Sequence, residues 1–382
     1  MVQFLRFAFP PLFETFQAQF GVSNTATGLL FSILMLCYSL SQFPSGVLSD
    51  QYGKIEVITL SVLGLSIGAI LVVVAPTFTL IVLSAAMIGA MSGAHKTISV
   101  PLLSHSYQDR TGFALGLFET IGQLGGGVAP IVIVIIFALF LPWQTVFIIG
   151  SAVCILLGIL FYVRVTTDET DSESLKDSES SSRDDIEDRT AIENSTQQYL
   201  GTLKDVNLVL FVLVTLGFTF AWNGISSFLP LFLITEKGIS SSLAGLLYSM
   251  IFFAGIIQIV TGDLSDRFGR VQLSIVLFGT MIFGLGSLLL SDVVSVLAIA
   301  TVILGVGIHG FRPVRDAYLI ELMPEDVEGG LFGLLRTVKT GVGSVAPIFV
   351  GFVSDIVSFT VAFSGLLVAM VLAVTCLLLM RN

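Results

Sequence analysis

Eleven stretches of this chain run for about twenty residues or more with few charges, near 26–46, 55–75, 78–104, 112–138, 143–163, 205–233, 240–262, 271–291, 294–322, 327–352 and 357–380. At 1.5 Å per residue each is long enough for a hydrocarbon layer of roughly 30 Å. Inside lipid every backbone N–H and C=O must be satisfied by the chain itself, which leaves helices or closed barrels. Barrel strands would be short and alternating, whereas these runs are long and apolar on all sides. The expectation is therefore an all-α polytopic membrane protein. Composition agrees, with 54% hydrophobic and 12% charged residues where a soluble domain carries about 25% charged. A formal charge of −10 argues against a nucleic-acid partner.

A twelfth span is suggested by residues 1–20, which are apolar but contain Arg6, Glu14 and Pro10-Pro11. They lack the basic leader and small-residue cleavage site of a signal peptide. Pro230-Leu-Phe232 follows 25 residues of its span, whereas the similar Pro11-Leu-Phe13 follows only ten. The first helix is thus expected to be truncated, with its remainder upstream of Met1.

Orientation follows the Lys and Arg count of the connections. With the loop at 46–54 in the cytoplasm, that side holds ten basic residues (Lys54, Arg110, Arg164, Lys176, Arg183, Arg189, Lys204, Arg267, Arg270 and Arg381) and the other only Lys237. Both termini are then cytoplasmic, in a plasma-membrane protein. Residues 164–205 hold twelve acids against five bases among many serines. Such a segment cannot bury a core and reads as a disordered cytoplasmic linker. The expected division is 1–163 and 205–382 as six-helix halves, with 164–204 between them.

The halves share one plan. Gly46-Val-Leu-Ser-Asp50-Gln-Tyr-Gly53-Lys54 matches Gly262-Asp-Leu-Ser-Asp266-Arg-Phe-Gly269-Arg270, and Gln42 matches Gln258, at an offset of 216. Gly112, Gly116, Thr120, Gly126, Ala129 and Pro130 match Gly329, Gly333, Thr337, Gly343, Ala346 and Pro347 at 217. Two parallel repeats joined by a long cytoplasmic linker are a plan of secondary transporters with a site between the halves.

The repeated Gly-x-Leu-Ser-Asp-x-x-Gly-[Lys/Arg] loop resembles motif A of the major facilitator superfamily (MFS), here present twice in equivalent places. The resemblance covers essentially the whole chain and implies a twelve-helix bundle whose first, fourth, seventh and tenth helices line a cavity. It also implies that Gly46, Asp50, Gly53 and Lys54, with Gly262, Asp266, Gly269 and Arg270, belong to gating loops. Glycines would let a tight turn approach a neighbour, and each aspartate would cap a helix N-terminus in the other half, Asp50 near 327 and Asp266 near 112. The first copy departs from the pattern at Gln51. The drug-antiporter signature Gly-x-x-x-Gly-Pro-x-x-Gly-Gly is not met by Gly122-Gln-Leu-Gly125-Gly126-Gly127-Val-Ala-Pro130, which lacks the Gly-Pro pair.

Six basic residues fall within spans: Arg6, Lys96, Arg312, Arg315, Arg336 and Lys339, against the deep acids Glu119 and Asp316. Each such charge costs roughly 2.5–3.5 kcal/mol at a helix centre and needs a partner or a wet cavity. Lys96, Glu119, Arg312, Arg315, Arg336 and Lys339 lie in a layer about 10–20 Å deep, counted from the nearest cytoplasmic ends. Lys96 with Glu119, and Asp316 with an arginine, would serve as structural ion pairs. A positive surplus remains that an anionic substrate could neutralise. Gly305-Val-Gly307-Ile-His-Gly310 imitates a dinucleotide fingerprint but lies inside an apolar span with no preceding strand. His95, His105 and His309 show no metal spacing, and the default for His95 and His309 is a structural role with a proton relay as alternative. Cys37, Cys154 and Cys376 sit in apolar runs as packing residues.

The resulting expectation is a monomeric secondary transporter in the lipid bilayer, with no cofactor or metal and no enzymatic activity, moving a small organic anion, with protons as coupling ion through Glu119 or Asp316. The rivals are an exporter of amphipathic, drug-like compounds and a non-transporting membrane sensor.

Overall fold

The computed structural model describes residues 1–107, 111–169, 205–323 and 328–380. Within these, the chain is helical, without strands. The first half comprises α1 (Val2–Phe7), a 3-10 turn at Pro10–Leu12, α2 (Phe13–Phe20), α3 (Asn24–Leu40), α4 (Gln42–Tyr52), α5 (Lys54–Val73), α6 (Phe78–Ser106), α7 (Thr111–Ala138) and α8 (Thr145–Glu169). The second comprises α9 (Val206–Thr235), α10 (Ser241–Phe253), a 3-10 turn at Ala254–Ile257, α11 (Gln258–Phe268), α12 (Arg270–Leu290), α13 (Val294–Glu321), α14 (Glu328–Ile356) and α15 (Phe359–Leu379). Ten of the described helical spans are long and apolar enough to cross a membrane, eleven when α3 and α4, bent by 41°, count as one.

Sequence explains most boundaries. Pro10 and Pro11 lack amide hydrogens and force the 3-10 turn that separates α1 from α2. Ser23 and Ser240, 217 apart, each accept an amide from the third residue onward at 3.3 Å and so start α3 and α10. The spans expected at 26–46 and 240–262 run further, to Tyr52 and Phe268, because each breaks into a second helix rather than ending. The repeated glycines Gly53 and Gly269 then stop those helices at φ of 97° and 87°, a region that a side chain makes costly. Helix α8 continues to Glu169, six residues beyond its expected end. The remainder of the expected linker, 170–204, lies outside the described residues.

The two halves meet along α3 with α14 and along α7 with α10. In the first crossing, Gly28 lies on the carbonyl of Pro347 and Gly351 on that of Asn24, leaving no room for a Cβ at either site. The helix backbones touch, as small residues permit in membrane bundles. The Ile348 amide donates to Ser32 Oγ at 3.0 Å. At the far end of this crossing the Asp355 carboxylate accepts the amides of Asn24 (3.0 Å) and Thr25 (2.7 Å) and the Thr25 hydroxyl (2.5 Å). These are the orphan donors of the α3 N-terminus, and the helix dipole favours the negative charge placed there. The same end carries a second link between halves, from Ser241 Oγ to Glu14 Oε2 at 2.7 Å.

The bundle is therefore shut at the end away from the Gly53 and Gly269 turns. Asp355→Asn should loosen that closure, since a charge-assisted cap is worth on the order of 1–3 kcal/mol. In a background without native cysteines, Ser32→Cys should react faster with an impermeant maleimide applied from that end once Asp355→Asn is added. Equal labelling rates would show that Asp355 does not hold the ends together.

Candidate functional site

Between the halves, on the side of the Gly53 and Gly269 turns, lies a cavity of about 910 Å³. Its walls come from the later part of α6, the early parts of α7 and α14, the late part of α13, and α1, α3 and α9. All eight membrane-embedded charges singled out in the sequence line it: Arg6, Lys96, Glu119, Arg312, Arg315, Asp316, Arg336 and Lys339. Helix periodicity accounts for the grouping, because residues three or four apart share a face. Arg312, Arg315 and Asp316 form such a set on α13, and Arg336 and Lys339 on α14.

Both acids are engaged. Lys96 Nζ lies 2.8 Å from Glu119 Oε1, tying α6 to α7. In the second half Asp316 Oδ1 accepts Arg315 through Nε and Nη2, each at 2.8 Å, and lies 3.5 Å from Lys339 Nζ, tying α13 to α14. Each half thus uses one carboxylate to join the same two spans. The partner of Asp316 is Arg315 rather than the helical-face neighbour Arg312. Lys339 shares Asp316.

Of the cations left without an acid, Arg6 and Arg312 rest on rings. Arg6 is 7% exposed, with its Cζ 4.1 Å from the Tyr38 ring centroid and 5.7 Å from that of Phe7. Its Nη2 contacts Met35 Sδ at 3.1 Å and its Nε has no hydrogen-bond partner among the described residues. Arg312 lies 5.0 Å from the Trp222 ring, and Arg315 also sits 5.6 Å from Phe218. Among the described residues, no carboxylate pairs with Arg6, Arg312 or Arg336. The lining thus holds six bases against two acids, and the acids already serve three of the bases.

Sequence reasoning missed the aromatic wall of Phe7, Tyr38, Phe218 and Trp222, since aromatic residues in apolar spans read as packing. It also missed Gln3 and Gln123, which line the same space. His309 is fully buried behind that wall, edge-on to Trp222 at 5.6 Å, and neither ring nitrogen has a partner among the described residues.

The gating loops are placed only in part. Arg270 holds Asp266 at 3.5 Å and Glu321 at 2.6 Å and donates to the Ala317 carbonyl at 2.6 Å, stitching its turn to the end of α13. Asp50 is exposed. Of the helix starts expected to meet the two aspartates, the one near 327 lies outside the described residues, and the one near 112 is the first turn of α7. Gly46 and Gly262 correct the expectation of a close approach: they sit inside α4 and α11 with open space where a Cβ would be. The turn glycines are Gly53 and Gly269.

The fold and cavity define a multi-pass membrane transporter built from two pseudo-symmetric six-helix halves. The sequence profile of the Major Facilitator Superfamily matches residues 1–295 and 254–382, and the chain belongs to that family. A protein of Cupriavidus pinatubonensis named "Probable 4-methylmuconolactone transporter" is 23% identical over 360 residues, covering 92% of this chain and 80% of that protein. The multidrug resistance protein MdtG of Proteus mirabilis is 23% identical over 348 residues, covering 89% and 82%. Among solved structures, the nucleoside transporter NupG, in a mutant form, superimposes with a TM-score of 0.77 at 11% identity, over 100% of this chain and 99% of that one. A bacterial homologue of the human lysosomal transporter Spinster, inward-facing and occupied, gives 0.72 at 15%, over 99% and 94%. Relatives and fold are those of transporters, not enzymes.

The Lys96–Glu119 pair should behave as a unit. Lys96→Met alone strands a carboxylate in the cavity wall and should lower stability by about 1–3 kcal/mol, whereas Lys96→Met with Glu119→Leu should recover most of the loss. Melting temperature and monodispersity in detergent check this.

Proposed function

We propose that this transporter moves a small organic anion across the cytoplasmic membrane by alternating access, driven by an ion or solute gradient. The observation that carries the reading is the cationic surplus of the cavity: Arg6, Arg312 and Arg336 line it and pair with no carboxylate among the described residues, while Glu119 and Asp316 are already engaged. A substrate carboxylate would supply the missing charge, and a guanidinium grips it through two parallel hydrogen bonds. The ten-to-one distribution of bases supports a cytoplasmic location for the Gly53 and Gly269 turns. On that reading the open end faces inward, and both termini and the segment 164–204 are cytoplasmic. The halves 1–163 and 205–382 would then rock about the site as a monomer.

Proton coupling would run through Glu119 or Asp316. Each holds a cation, so protonation of Glu119 would release Lys96 to the substrate, which couples proton binding to anion binding. Under an imposed pH gradient in proteoliposomes, Glu119→Gln should retain anion exchange while losing gradient-driven accumulation.

The rival reading, an exporter of amphipathic compounds, draws on the aromatic wall. Arg336→Lys separates the two because it keeps the charge and removes the planar fork. Anion uptake should fall at least about tenfold, the equivalent of 1.4 kcal/mol, with expression and melting temperature near the parent. Unchanged uptake of every anion carried by the parent would favour the exporter.

A further inference from the structure

Two of the cavity arginines, Arg6 and Arg312, lie against rings, and those rings adjoin one another across the two halves. Arg6 on α1 lies 4.1 Å from the Tyr38 ring and 5.7 Å from that of Phe7. Phe7 is 6.3 Å from Trp222 of α9, and Trp222 carries Arg312 at 5.0 Å. Phe7, Tyr38 and Trp222 all line the cavity. Two carboxylate-free guanidiniums, one from each half, are therefore bridged by an aromatic strip. A guanidinium stacked on a ring has its face occupied and presents its N–H groups edgewise, along the wall. A carboxylate gripped by those edges lies beside the ring, and whatever is coplanar with the carboxylate is laid along the neighbouring aromatic surface.

We infer, resting on the anion reading above, that the substrate is a flat, ring-bearing carboxylate of the benzoate type, its carboxylate on Arg312 or Arg6 and its ring on the Phe7–Trp222 strip. A puckered aliphatic ring of the same size and charge makes the same ion pair but fits the strip poorly. Offset or edge-to-face ring contact is worth about 0.5–1.5 kcal/mol beyond burial, roughly a two- to tenfold preference. An anion without a body leaves the strip wet and most of a cavity of about 910 Å³ empty.

The chain has two tryptophans. Trp143 lies outside the cavity, donating to Gln19 Oε1 at 2.8 Å, so Trp143→Phe leaves Trp222 as the sole indole reporter. In the purified full chain carrying Trp143→Phe, benzoate should quench Trp222 emission saturably. By competition against labelled benzoate, cyclohexanecarboxylate should bind two- to tenfold more weakly, and acetate and benzamide more weakly still. Trp222→Phe should keep the preference for benzoate over cyclohexanecarboxylate, and Trp222→Leu should reduce it to near unity. Equal affinities for benzoate, cyclohexanecarboxylate and acetate would overturn the ring inference and leave the anion reading standing. Benzamide binding as tightly as benzoate would overturn both. The absence of saturable benzoate binding, or a preference that survives Trp222→Leu, would overturn the ring inference.

Discussion

The contact between α3 and α14 decides what the rest of the molecule can do. Two helix backbones approach closely because Gly28 and Gly351 have no side chains, and Asp355 fastens the end of one helix to the start of the other. Once the halves are pinned at that end they diverge toward the other, and the wedge between them becomes the cavity. Its position on the side of the Gly53 and Gly269 turns is thus a consequence of where small residues and a carboxylate fall along α3 and α14.

Charge is admitted to this wedge under strict accounting. A lone cation in hydrocarbon is expensive, and the chain meets that cost in two ways. Lys96, Arg315 and Lys339 are paired with Glu119 or Asp316, and these pairs also fasten the neighbouring spans of each half. Arg6 and Arg312 instead lie against aromatic rings, a cation–π contact that offsets part of the desolvation cost and leaves both without a carboxylate partner among the described residues. The first arrangement builds walls; the second leaves cationic groups exposed to the cavity.

Family membership does not choose the cargo. Relatives at 23% identity are named for a lactone and for multidrug resistance, as expected of a fold that hosts many activities on one scaffold. What distinguishes chains within such a fold is the lining, and here the lining combines unpaired guanidiniums with an aromatic strip. An all-apolar wall would suit neutral amphipathic molecules, and a wall of paired charges alone would offer an anion nothing to bind.

Much of this was legible in the sequence because its physical cause is local. Span length fixes helices in lipid, the Gly53 and Gly269 turns recur at a constant offset, and an ionisable residue in an apolar run needs a partner or a wet cavity, which singles out the eight charges that line the cavity. The Lys96–Glu119 pair was read from the sequence as well, but which cations Asp316 holds was not. Asp316 pairs with its chain neighbour Arg315 rather than with Arg312 through the rotamers the two side chains adopt on α13, and its contact with Lys339 depends on side-chain reach between α13 and α14. The Asp355 cap joins residues 330 apart, a separation at which no periodicity speaks. The aromatic strip escaped for a related reason: in an apolar span a phenylalanine facing lipid, core or cavity looks the same, and only the packing of the two halves decides which it is.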